Sequence, residues 1–94
     1  MTPPAPVRNY VFTAHALFEM KRRRLDEQLV RSVLAEPEQE LQIRPGRVVL
    51  QSKVVMEPAK TYLVRVFLDV DTDPAEVVTV YRTSKISKYW KESP

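Results

Sequence analysis

The proline at position 37 divides this chain into two stretches whose apolar residues recur with different periods. Before it, Leu29, Val30, Val33 and Leu34 fall at i, i+1, i+4 and i+5, the stripe of a helix that buries one side. After it the apolar positions alternate, with Val48, Leu50 and Val54 in one run and Tyr62, Val64, Val66 and Leu68 in another. Proline disfavours the α region for the residue before it, so Glu36 ends the helical half. Helix-period sequence followed by strand-period sequence implies an α+β domain.

The helical half holds two elements. Thr13 offers the hydroxyl of an N-cap, and Leu17, Phe18 and Met20 follow at helical spacing, which predicts a helix near 13–23. It ends on Lys21-Arg22-Arg23-Arg24, cations at the negative pole of the helix macrodipole. Asp26 caps a second helix near 26–36, and the short connection makes the pair a tight hairpin or corner.

Beyond Pro37, Glu40 to Ile43 is a candidate short edge strand, and Arg44-Pro45-Gly46-Arg47 is a turn. Further strands are expected near 47–55, 61–69 and 76–83. The second of these is apolar on both faces, because Leu63 and Phe67 oppose the set that includes Val64 and Val66, and so it belongs inside a sheet. Short turns at Glu57-Pro58-Ala59-Lys60 and Asp71-Thr72-Asp73-Pro74 make successive strands antiparallel neighbours. The expected fold is two N-terminal helices followed by a meandering antiparallel sheet of three to four strands. Val64, Val66, Val78 and Val80 are expected in its core, against Leu17, Leu29 and Val33. Residues 84–90 are either a short helix or an extended tail.

With 94 residues the chain makes one domain, expected over 9–94 behind an extended proline-rich leader over 1–8. It has no cysteine, which excludes disulfides, thiolate metal sites and a thiol nucleophile. No apolar run is long enough to span a membrane, and the start lacks the pattern of a signal peptide, so the expected location is the cytoplasm. The net charge of +3 is small but unevenly spread. Residues 21–24 form one basic cluster and Arg82, Lys85, Lys88 and Lys91 another, while acids gather at 36–40 and 69–76. Such polarity suits a polyanion on one side, or is a solvated surface.

His15 is the chain's only histidine, at the second position of a helix, near free backbone amides. It can accept a proton or bind a phosphate-linked hydroxyl, or simply pack where strand meets helix. One histidine and no cysteine leave too few ligands for a catalytic metal, and no cofactor motif is present. Residues 81–90 mix cations, hydroxyls and aromatics, the groups that neutralise phosphate and stack on bases, although Tyr89 and Trp90 can equally seal the core. Arg65 is a charge inside an otherwise apolar strand. It either joins Thr79 and Tyr81 on one sheet face as a cationic patch or snorkels at an edge.

Phe12-Thr13-x-His15-Ala16 with Met20, Arg23, Leu25, Val33-Leu34 and Pro37 resembles the opening of the bacterial domain-of-unknown-function family numbered 4258. Val78-Thr79-Val80-Tyr81 with Thr83-Ser84-Lys85 and Tyr89 is similar to that family's closing strand and tail. Two positions depart from the pattern: Glu19 stands where arginine is usual, and Arg24 stands for a glycine, which implies a slightly different turn between the helices. The family's layout is similar to the small ribonuclease toxins of the RelE and BrnT type. The resemblance therefore implies a metal-independent endoribonuclease without a cofactor, with RNA as substrate and an antitoxin protein as partner. The residues matching such a site are His15, Tyr81 and Lys85 as catalytic groups, and Arg23, Arg65, Arg82 and Lys88 as phosphate ligands. A non-catalytic nucleic-acid-binding module and a protein-interaction domain are the alternatives.

Overall fold

The computed structural model describes residues 6–92. In chain order the elements are β1 (Tyr10–Phe12), α1 (Ala14–Arg22), α2 (Glu27–Ala35), β2 (Gln39–Arg44), β3 (Arg47–Met56), β4 (Lys60–Asp69), β5 (Ala75–Thr83) and α3 (Ile86–Tyr89). Both long helices start where their caps predict. The Thr13 hydroxyl accepts the Ala16 amide at 3.0 Å, and the Asp26 carboxylate accepts the Gln28 amide at 3.1 Å.

The domain is α+β, but its sheet is mixed and has five strands, in the order β1-β5-β4-β3-β2. Strands β2 to β5 form the expected antiparallel meander. The addition is β1, which lies parallel to β5 and pairs Tyr10 with Ala75 and Phe12 with Val77. Three residues are too few to carry an alternating pattern, and the partner strand is far along the chain, so sequence pattern does not announce it. β4, the strand apolar on both faces, lies in the middle.

α1 packs on β5 and α2 on β4 and β3, all on one face of the sheet. There Ala16, Met20, Leu25, Val30, Val33 and Leu34 meet Leu50, Val64, Val66, Leu68, Val77 and Val80. Two expected core residues are displaced. A bulge shifts the β4–β5 register after Phe67, so that Val77 takes the inward place and Val78 is only half-buried. Leu17 is 45% exposed, because α1 turns Ala16 and Met20 inward instead.

The corner between the helices is closed by Arg24, whose φ of 56° is left-handed. The Leu25 amide reaches the Met20 carbonyl at 2.8 Å and the Arg24 amide the Lys21 carbonyl at 3.2 Å, a Schellman cap. Arginine here adopts the left-handed conformation that a glycine would favour. Of the expected leader, residues 1–5 lie outside the described residues. Val7, however, donates its amide to the Leu34 carbonyl at 3.0 Å and packs against the core. No helix among the described residues is long and apolar enough to cross a membrane.

Candidate anion-binding site

Gln51, Arg65 and Tyr81 stand directly opposite one another on β3, β4 and β5, so their side chains share the sheet face turned away from α1 and α2. Arg65 Nε donates to Gln51 Oε1 at 2.9 Å, and Nη1 donates to the Tyr81 hydroxyl at 2.6 Å. Gln51, itself fully buried, donates Nε2 to Gln39 Oε1 at 2.8 Å and to the Tyr89 carbonyl at 3.2 Å. Three rings surround the guanidinium, with centroids 4.4 Å (Tyr89), 5.2 Å (Phe67) and 5.7 Å (Tyr81) from its carbon. Phe67 stacks on Tyr81 at 5.8 Å.

Arg65 is only 7% exposed, and among the described residues no carboxylate pairs with it. A guanidinium has five N–H donors in a fixed fork. Among the described residues Nη2 has no hydrogen-bond partner, and since no buried side-chain nitrogen or oxygen among them lacks one, it is not fully enclosed by them. A cation fixed by neutral acceptors, with one nitrogen open, is a donor set for an oxyanion.

A second cation approaches from α1. β1 pairs only with residues 75–77, so the outer side of β5 has no strand beyond that point. There Arg23, the C-cap of α1, lies 5.9 Å from the Tyr81 ring. Glu19 Oε2 accepts Arg23 Nε at 2.9 Å and Arg22 Nη2 at 2.7 Å. The hydrogen bond from Arg22, outweighing the opposing effect of burial, holds the Glu19 carboxyl below its usual range.

Arg23, Arg65 and Tyr81 are thus brought together, with Lys88 at the margin, its ammonium 5.3 Å from the Tyr89 ring. Arg82 follows Tyr81 in the strand and points to the opposite face, where it contacts Met56 sulfur at 3.3 Å and lies over Tyr62. Lys85 is exposed at the N-cap of α3, its amide bonded to Thr83 Oγ1 at 3.1 Å. His15 is exposed at the other end of α1. The Thr13 amide bonds the Val77 carbonyl, and Tyr81 is four residues beyond, about 13 Å along the strand. His15 therefore stands apart from Tyr81 and Lys85, with which the resemblance groups it as a catalytic residue.

Gln39 and Gln51 belong to the cluster without standing out in the sequence, whereas Glu19 stands out there only as a departure from the family pattern. A glutamine in the middle of an apolar strand, in phase with a lone arginine on the next, is the signal that could have found Gln51. An open depression of about 250 Å³ between the end of α2 and β3 lies on the helix-bearing side, lined by Ser32, Glu36, Glu38 and Ser52 among others. Among the described residues no three His, Asp or Glu side chains gather as a metal cluster would.

The family model described as domain of unknown function DUF4258 matches residues 12–82. The chain belongs to this family. The matched span runs from the end of β1 through Tyr81 and so includes Glu19, Arg23, Gln39, Gln51 and Arg65, but it stops short of α3. No curated protein and no solved structure matches the chain.

Proposed function

We propose that the Arg65 face binds the phosphate backbone of RNA, and that the domain is a metal-independent endoribonuclease of the RelE/BrnT-like kind. The observation that carries this reading is the Arg65 guanidinium, fixed by Gln51 and Tyr81 with no carboxylate paired to it among the described residues. Donors held in place before the reaction stabilise developing negative charge at little reorganisation cost. Arg23 supplies a second cation, and the exposed Lys85 and Lys88 neutralise flanking phosphates.

The Tyr81 oxygen accepts from Arg65, so its own hydrogen is free to be donated. In the proposed step a ribose 2′-oxygen attacks the adjacent phosphorus and loses its proton to solvent. The bond from phosphorus to the 5′-oxygen breaks, and that oxygen takes the Tyr81 proton. The products are a 2′,3′-cyclic phosphate and a 5′-hydroxyl, and Tyr81 is reprotonated by water. His15 and Arg82 have no part in this step. An antitoxin partner accompanies this reading, and its expected trace is a short, acidic, helix-rich reading frame beside the gene.

The test is incubation of mixed-sequence RNA with the protein in excess chelator, with analysis of the product ends. Tyr81→Phe and Arg65→Gln should each slow cleavage about 10²-fold or more, while His15→Ala leaves it unchanged. RNA affinity should fall roughly tenfold between low and moderate salt. RNA that is bound with this salt dependence but returned intact would make the domain a binding module. No RNA affinity at low salt would remove nucleic acid altogether.

A further inference from the structure

The site just described is covered. The segment 85–91 crosses the Arg65 face and lays the Tyr89 ring 4.4 Å from the guanidinium carbon. Gln39, the first residue of β2, clasps it: Oε1 accepts the Lys91 amide at 3.0 Å, and Nε2 donates to the Lys91 carbonyl at 2.6 Å. Gln51 holds the Tyr89 carbonyl at 3.2 Å, and the Lys53 ammonium sits 4.0 Å from the centre of the Trp90 ring.

Beyond an edge contact of the Tyr89 ring with the Tyr81 ring, 6.3 Å between centroids, little else fastens this segment. α3 is a single turn with no buried residue and no side-chain cap. It also lies beyond the span that the family model matches. An element with so few buried contacts opens at a small fraction of the free energy that holds the sheet. Arg65, by contrast, is 7% exposed while the segment lies over it, and an RNA backbone cannot engage it fully in that state.

We propose that residues 85–91 are an autoinhibitory strap, latched by Gln39, which RNA must displace to reach Arg65. This rests on the RNA reading above. When only a fraction of molecules is open, the observed affinity is the intrinsic one multiplied by that fraction. Releasing the latch should therefore strengthen binding, the opposite of what loss of a ligand-contacting residue does. Tyr89 is the cover and Gln39 the fastening.

Trp90 is the chain's only tryptophan, so its emission reports the strap without ambiguity. In the full chain, Gln39→Ala should shift Trp90 emission to the red and remove hydrogen-exchange protection from the Trp90 and Lys91 amides, while the unfolding transition of the domain remains cooperative. Its affinity for a single-stranded oligoribonucleotide at low salt, read by anisotropy, should rise on the order of fivefold. Tyr89→Ala, which uncovers Arg65 and leaves the clasp in place, should also bind more tightly. A Gln39→Ala protein that opens by fluorescence but binds RNA no better, or worse, overturns the strap. Unchanged Trp90 emission and exchange overturn Gln39 as the latch. Absence of RNA binding in every variant, with opening still visible at Trp90, overturns the RNA reading and the inhibition with it.

Discussion

Under α1 and α2 the sheet buries Leu50, Val64, Val66, Leu68, Val77 and Val80 in one apolar cluster. The other face of the same strands buries Gln51 and Arg65 beside Val49 and Leu63. The first is closed by two capped helices, the second by one turn of helix and a few polar bonds. Stability alone does not call for a guanidinium on the second face, since well-packed apolar groups of like volume do as well or better at buried charged sites. The difference separates a face that holds the fold together from one arranged around a charge.

The largest expected effect tests that division directly. Leu50→Ala leaves a cavity in the apolar cluster and should cost about 2–5 kcal/mol in urea unfolding. Arg65→Met replaces the charge by a side chain of similar length and should cost less than that, because the desolvated cation disappears even though the buried Gln51 Oε1 loses its donor. If Arg65→Met destabilises the domain as much as Leu50→Ala, Arg65 is a structural anchor and the division between the faces collapses.

The apolar face was largely legible in the sequence, and the polar face only in parts. Period and capping residues placed α1, α2 and the strands of the meander, because those signals are local. Register was not local: the bulge after Phe67 exchanged Val78 for Val77, and β1 found its partner across most of the chain. Arg65 and Tyr81 stood out as residue types, and their shared face follows from strand pairing. The clasp by Gln39 could not be read, since it joins a side chain to backbone 52 residues away. His15 is grouped with Tyr81 by residue type alone, because chain order says nothing about which end of α1 meets Tyr81.

A smaller effect is expected at the corner that sets Arg23 against the Tyr81 ring. Arg24 holds a left-handed conformation that costs a residue with a Cβ about 1–2 kcal/mol, whereas glycine adopts it freely. Glycine also loosens the unfolded chain, which returns part of that gain. Arg24→Gly should therefore raise stability by about 0.5–1 kcal/mol, read as a higher urea midpoint. A lower midpoint would mean that the Arg24 side chain makes a contact worth more than the backbone strain. The same variant removes one cation of the basic cluster, so the response of its RNA affinity tells whether residues 21–24 belong to the binding face.

The smallest effect concerns Glu19, which lies at the boundary between the two faces. It is buried on α1, the helix that packs on β5, yet its carboxylate holds Arg23, which leans over Tyr81. The hydrogen bond from Arg22 keeps its carboxyl below the usual range, and the Asp69 carboxyl is likewise held down by its hydrogen bond from Arg47. A carboxyl depressed on folding adds stability that is fully present above its unfolded value, roughly pH 4, and is lost as pH falls through the lower folded value. The urea midpoint should thus decline below about pH 4, and Glu19→Gln should flatten part of that decline while Asp69→Asn flattens another part. The Arg22 side chain is 57% exposed, so water and salt screen its pairing with Glu19, and the contribution should shrink further in high salt. If Glu19→Gln leaves the acid limb unchanged at low salt, the pairing contributes nothing to folding and Glu19 serves only to aim Arg23. In that case Glu19→Gln should weaken RNA binding at neutral pH without moving the midpoint, which ties the residue to the polar face and not to the apolar one.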